Sequence, residues 1–354
     1  MTSVNKTAPK VAGPVFVGLD YHTAFVQVCI LDRDGKVLHN DACANDWQRI
    51  KATAERYGTH AHAAVEACSG AADLAEELAG KAGWHVDLAH PGYVARMKAN
   101  PDKTDFSDAR MLADLERVGY LPKVWLAPAE VRELRRLVRY RQQLVGERRN
   151  AKLRVGALLR DNRVSAPEDI KAWTVAWVKW LTTQAALSEQ TRWVIDRHLE
   201  RLKSLAADIK AVEARLAQVT ADDPLVQQLL NLKGVGLVTA VTIRAEIGRF
   251  DRFRTGKQMA RFCGLSPRNA SSGQKQADAG LIKAGNTQLR STLIELAHRL
   301  VRYDARWKKL AAEMKARGKS GSVVAAAVAN RWVRWLFHQR SKPAAEEKTS
   351  GGEQ

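Results

Sequence analysis

Val15–Asp20 (VFVGLD) and Phe25–Leu31 (FVQVCIL) are β-prone apolar runs separated by a short polar turn, and the fold of the N-terminal part follows from them. Asp34-Gly35 then offers a hairpin turn before Lys36–His39, so the three runs read as an antiparallel meander. Further on, the pattern predicts a helix over Asp46–Tyr57 and a strand over Ala61–Glu66. A helix over Ala71–Lys81, a strand over His85–Ala89 and another helix after Pro91 follow. Strands that first pair as hairpins and then alternate with helices predict an α/β domain on a mixed sheet, here residues 1–123.

From Pro128 onward the reading is almost wholly helical. Val131–Arg163 carries 11 Lys and Arg against three acids. A second long helix is predicted over Ser188–Thr220. Its Leu202, Leu205, Ile209, Val212, Leu216 and Val219 recur by threes and fours, the spacing of an a/d seam. That seam can pack on the first long helix or pair with a second subunit. Trp173, Trp177 and Trp180 read as a helical stripe, which points to core rather than to a base-stacking platform; Trp193 lies further on. These helices make a basic, coiled-coil-like region over 124–222. Pro224 opens a mostly α-helical C-terminal domain (223–340), and the small polar residues 341–354 read as a disordered tail.

Charge is unevenly placed along the 354 residues. Residues 1–123 hold 14 basic and 16 acidic side chains, whereas the remainder holds 43 and 22. An excess of that size attracts phosphate backbones through counterion release and is beyond what solubility needs. No apolar run approaches the ~20 residues of a membrane span, and Met1–Gly13 has no signal-like core, so the expected location is cytoplasmic. Cys29, Cys43, Cys68 and Cys263 form no C-x-x-C pair, so a structural zinc is not expected.

The chemistry is expected among the carboxylates. Asp20 closes the first strand and Glu66 a later one, while Asp105 and Asp108 stand at i and i+3 on one face of a helix start. Singly, each reads as a strand end, an N-cap or a first-turn acid. Jointly they are a set of hard oxygen ligands suited to Mg²⁺ or Mn²⁺, and Glu66 ends an apolar AAVEA run where a lone acid is costly.

VGLDYH (17–22), AVEACSG (64–70) and NPDKTDFSDARMLADL (100–115) together resemble the DEDD domain of the insertion sequence one-ten family of transposases, relatives of the Piv and MooV invertases. The resemblance implies a RuvC-like, RNase H-like α/β fold whose metal carboxylates are Asp20, Glu66, Asp105 and Asp108. LLNLKGVGLVTAVTIRAEIG (229–248) reads as helix, Gly234-Val235-Gly236 hairpin and helix, a turn whose amides suit a phosphate. The following FRTGKQMARFCGLSPRNASSGQKQADAGLIKAGNTQLRSTLIELA (253–297) is similar to the same family's transposase domain. By that resemblance Ser271 is the nucleophile, with Ser272 its neighbour and competitor.

The expected function is therefore Mg²⁺-dependent cleavage and rejoining of DNA through a serine–DNA intermediate. The resemblance further implies a structured non-coding guide RNA and a homo-oligomer, dimer or tetramer. Lys275, Lys283 and Arg290 are candidate phosphate contacts beside Gly234 and Gly236. Two other readings stand beside it: a metal-dependent nuclease of the Holliday-junction type, and a non-enzymatic architectural nucleic-acid-binding protein.

Overall fold

The structure, a computed structural model, describes residues 11, 13–97, 104–269, 278–282 and 284–340. The chain divides after Pro128 into two compact units.

The first unit opens with β1 (Pro14–Tyr21), β2 (Phe25–Leu31) and β3 (Val37–Ala44), then α1 (Trp47–Glu55), β4 (His60–Glu66) and α2 (Ala71–Ala82). It continues with β5 (His85–Ala89), α3 (Pro91–Met97), α4 (Asp105–Arg117) and the two-residue β6 (Lys123–Val124). The sheet order is β3-β2-β1-β4-β5-β6, with β4 parallel to both β1 and β5 and the other pairs antiparallel. The mixed sheet expected from the sequence is present. The third strand runs five residues beyond His39, since pairing with β2 outweighs the polar composition of HNDACA. The short β6 has no sequence signature; two residues give no period to read.

Period-two alternation sorts the two sheet faces. Val15, Val17 and Leu19 of β1 and Ala61, Ala63 and Val65 of β4 are buried with Ile50, Leu74 and Leu78 of α1 and α2. On the other face, Phe16 packs with Cys29, Leu31, Ala109 and Ala113, so α4 lies across β1 and β2. Small residues allow that approach. A Cβ on Gly18 would stand 1.8 Å from the Ala109 carbonyl oxygen and 2.5 Å from the Ala113 nitrogen. The start of α4 is fixed by Thr104, whose side chain accepts from the Ser107 amide in a capping box.

The second unit begins with α5 (Ala129–Asp161), α6 (Val175–Thr183) and α7 (Glu189–Val219). Leu205, Ile209, Val212 and Leu216 of α7 are buried in one cluster with Leu134, Val138 and Leu144 of α5. The seam that could have paired with a second subunit is thus filled by the same chain, and only Val219 remains largely exposed. Each such buried side chain contributes roughly 1.5–3 kcal/mol over its exposed state. Trp177 and Trp180 are core residues beside Val155, Leu159 and Ile195. Trp173 departs from the expected helical stripe. It precedes the helix with φ 67°, and its ring meets that of Trp177 at a tilt with centroids 4.6 Å apart, under Lys152.

The unit closes with α8 (Pro224–Leu230), α9 (Leu237–Ile247), α10 (Gly256–Phe262), β7 (Pro267–Asn269), β8 (Asp278–Leu281), α11 (Thr287–Tyr303), α12 (Ala305–Ala316) and α13 (Gly321–Arg340). Helix α9 is buried on nearly every side, its polar Thr239, Thr242 and Glu246 included, and is therefore central, with α11 and α13 in the same core. The β7–β8 hairpin is an element that the helical reading of this region did not anticipate. The tail expected at 341–354 lies outside the described residues. Among the described residues no helix is long and apolar enough to cross a membrane.

Candidate active site

The register places the acids before any side-chain geometry is considered. Leu19 pairs with Val65 across parallel strands, so Asp20 and Glu66 follow side by side at the carboxyl ends of β1 and β4. Asp105 and Asp108 occupy the first turn of α4, which lies on that same face. Asp20 Oδ2 and Asp105 Oδ2 each stand 3.4 Å from His22 Nε2, and the three groups' ligand atoms lie within 4.8 Å of one another. Asp108 is buried (6% exposed) and close enough for its charge to act on Asp20. Glu66 is not in that three-residue group, although its charge and that of Asp20 both act on the Cys68 thiol.

Burial is the main cause that lifts the Asp20 carboxyl above the usual aspartate range. His22 opposes the rise, and the charges of Asp105 and Asp108 add to it. His22 Nε2 is buried and makes no well-formed hydrogen bond, and its ring is stacked on Phe25 at 4.6 Å. An imidazole nitrogen held loosely between two carboxylates, with a third acid close enough to act on one of them, is a donor set that a divalent cation satisfies, so the residues fit a metal. Sequence reading quoted His22 within VGLDYH without giving it a role. Its place two residues after Asp20 was visible, but the approach of Asp105 that completes the group was not.

The second unit carries the other expected residues. Gly234 adopts φ 80° in the turn before α9, and Gly236 caps that helix without any side-chain hydrogen bond. The turn is braced by Arg299, which donates to the Gly234 carbonyl (3.1 Å) and to Thr239 Oγ1 (2.8 Å). Gly234 and Gly236 line a cleft of about 1290 Å³ with Arg139, Arg141, Arg148, Arg149 and Arg299 on its walls. Besides Arg299, two of these are already engaged: Arg139 with Glu246 (3.0 and 3.1 Å) and Arg141 with Glu213 (2.7 Å). Arg148 and Arg149 were not singled out in the sequence, since a basic run on a helix reads equally well as solvated surface. Arg290 sits under the Gly264 turn and donates to the Ala284 carbonyl (3.4 Å). Ser271, Ser272, Lys275 and Lys283 lie outside the described residues.

Comparison with known proteins identifies the family. Residues 17–162 match the DEDD transposase domain of the IS110 type, and residues 226–312 match the Transposase IS116/IS110/IS902 family. The chain is similar to the "Probable family 20 transposase" of Pseudomonas aeruginosa, 31% identical over 281 residues, spanning 77% of this chain and 82% of that protein. It is 26% identical over 337 residues to the "Transposase for insertion sequence element IS1111A" of Coxiella burnetii, covering 92% and 90% of the two chains. The Sinorhizobium fredii protein y4qE, whose name also carries the word transposase, is 31% identical over 216 residues; the match spans 58% of this chain and half of y4qE's length. The DEDD domain brings with it an RNase H-like α/β architecture and suggests a dependence on divalent metal. The chain belongs to the IS116/IS110/IS902 family of transposases, enzymes of DNA transposition.

Proposed function

We propose that this transposase cleaves and rejoins DNA strands at the ends of an insertion sequence, with Ser271 as nucleophile and a structured RNA as guide. The observation that carries the reading is the meeting of Asp20 and Asp105 on the His22 nitrogen, with the charge of Asp108 acting on Asp20 and the strand end at Glu66 alongside. Mg²⁺ or Mn²⁺ held by Asp20, Glu66, Asp105 and Asp108 would neutralise charge at a scissile phosphate. His22 holds Asp20 and Asp105 in place. The Ser271 hydroxyl forms a phosphoester bond to phosphorus, and the bond from phosphorus to the leaving strand's sugar oxygen breaks. The serine proton ends on that departing oxygen. A hydroxyl of the partner strand reverses the step and frees the serine.

A joining assay with Mg²⁺ tests the whole reading. Recombined DNA supports it, cut DNA alone supports a metal-dependent nuclease, and bound but unaltered DNA supports an architectural protein. In the same assay Ser271→Ala should yield no covalent protein–DNA adduct, and Ser272→Ala should keep one. An adduct mapped by mass spectrometry to Ser272, or to any tyrosine, refutes the assignment. Assembly as a dimer or tetramer belongs to the proposal, through surfaces other than the filled α7 seam. Mixed Asp20→Asn and Ser271→Ala chains should then recover joining that neither has alone.

The arginine cleft of the second unit is the proposed track for a phosphate backbone. With about 6–10 contacts, raising salt from ~50 to ~200 mM should weaken binding on the order of 10³-fold. Replacing Arg148 and Arg149 with Ala should lower the slope of log affinity against log salt by about 2. Binding to the element's own RNA is expected to be tighter than to random duplex DNA at physiological salt. Filter binding across a salt series reads both, and an unchanged slope in the double variant removes the cleft from the interface.

A further inference from the structure

The sheet face that carries Asp20 also has an opposite end, and a second polar cluster sits there. Parallel pairing places His62 of β4 directly beside His85 of β5, with ring centroids 5.3 Å apart. Phe16 of β1 stacks on the far side of His62 at 5.7 Å. Glu116, near the carboxyl end of α4, comes down on the same spot, and one ligand atom from each of His62, His85 and Glu116 lies within 4.8 Å of the others. Eleven residues of α4 separate Asp105 from Glu116, roughly 16 Å along a helix. The cluster is therefore distinct from the carboxylate site.

Glu116 is the residue that needs an explanation. It is only 7% exposed, and its Oε2 has no hydrogen-bond partner. Its other oxygen, Oε1, faces Lys123 Nζ at 3.6 Å. That lysine is nearly half exposed and is paired more closely with Asp87, so it covers one side of the carboxylate and leaves Oε2 uncovered. A buried carboxylate oxygen left without a donor is costly unless a cation answers it, and Lys123 answers only the other oxygen. Two imidazoles and one carboxylate form the three-ligand set of an open zinc-type site. Asp87 Oδ2 stands 2.9 Å from His85 Nε2, the orientation of a histidine ring by a carboxylate that metal-ligating histidines commonly need. Bonds of about 2.0–2.1 Å put tetrahedral ligand atoms roughly 3.4 Å apart, a spacing that the three groups, within 4.8 Å of one another, already approach.

We infer that His62, His85 and Glu116 form a second metal site, selective for a Zn²⁺-class transition ion, that ties β4 and β5 to the carboxyl end of α4. An ion there clamps the helix whose other end presents Asp105 and Asp108. The site needs no cysteine. Its ligands are scattered 23 and 31 residues apart along the chain, so spacing rules built on cysteine pairs pass over it.

Cobalt substitution on the full chain tests the inference, because tetrahedral Co²⁺ has intense visible absorption that an oxygen-ligated octahedral ion lacks. The metal-stripped protein should take up one tetrahedral Co²⁺, displaced by Zn²⁺, and Asp20→Asn should retain that band. His85→Ala should lose it; the His85 side chain is 58% exposed, so the substitution spares the core. Glu116→Gln should weaken uptake by at least tenfold, read by the same titration. In thermal denaturation, saturating Zn²⁺ should raise Tm of the parent chain and leave Tm of His85→Ala unmoved. A tetrahedral band that survives in His85→Ala and disappears in Asp20→Asn overturns the site, as does the absence of any tetrahedral band in the parent.

Discussion

Asp20→Asn should lower strand cleavage by about 10³-fold or more while leaving the fold at least as stable as before. The first half follows from the role proposed for the carboxylate. A ligated cation contributes several kcal/mol of charge stabilisation at a phosphate, and about 4 kcal/mol is a factor of 10³. The second half follows from the electrostatics of the protein alone. Burial, with Asp105 and Asp108 adding to it, raises the Asp20 carboxyl above its ordinary value. A carboxyl whose pKa rises on folding makes the folded state less stable wherever it is ionised, so at neutral pH the parent chain carries a penalty. The amide of Asn has nearly the same volume and no charge, and the penalty goes with it. Asp108→Asn should behave alike in cleavage, since Asp108 is the more deeply buried of the two. Cleavage assays in Mg²⁺ and denaturation in EDTA read the two halves separately. Full cleavage by either variant removes the metal role. A large loss of stability in Asp20→Asn would mean that the carboxylate is structural.

The parts of this molecule that were readable in advance are those set by local periodicity. The alternation of VFVGLD, the Asp34-Gly35 turn and the three-and-four spacing of α7 each depend on neighbours a few residues away. The carboxylates were readable for a different reason: Glu66 breaks an apolar strand, and Asp105 and Asp108 share a helix face by spacing alone. What pairing and packing decide was not readable. The α7 pattern fits a neighbour in the same chain as well as one in another, and only the burial of Leu205 and Leu216 against α5 shows which neighbour fills it. His22 acquires meaning only when Asp105, 83 residues later, is folded against it. The His62, His85 and Glu116 cluster is assembled by β4–β5 register and the length of α4, neither of which leaves a motif. Trp173 failed for a backbone reason, since its positive φ takes it off the helix on which the stripe was drawn.

The other large effect belongs to a residue with no side chain. Gly18→Ala should destabilise the first unit by about 3 kcal/mol or more and take cleavage with it. The new methyl carbon would stand 1.8 Å from the Ala109 carbonyl oxygen, roughly 1.5 Å short of the ordinary 3.3–3.6 Å separation of carbon and oxygen. The obstacle is helix backbone, so no side-chain rotation relieves it. Overpacking that rotamers can absorb costs about 1–3 kcal/mol, and this case lies at or past the upper end. For a unit of this size the loss corresponds to a fall in Tm of roughly 10 °C. If α4 lifts away instead, Asp105 and Asp108 lift with it. A displacement of ~1 Å at a reacting group costs on the order of 10²-fold, so surviving folded protein should still be impaired. Gly80→Ala is the matched control. Gly80 lies within α2 with nothing within 4 Å of its added carbon, so the same change there should stabilise by up to about 1 kcal/mol. Urea denaturation and single-turnover cleavage on both variants decide the matter. If Gly18→Ala unfolds at the same urea concentration as the parent and cleaves at the parent rate, α4 does not rest on β1 as described, and the convergence of Asp20 with Asp105 and Asp108 goes with it.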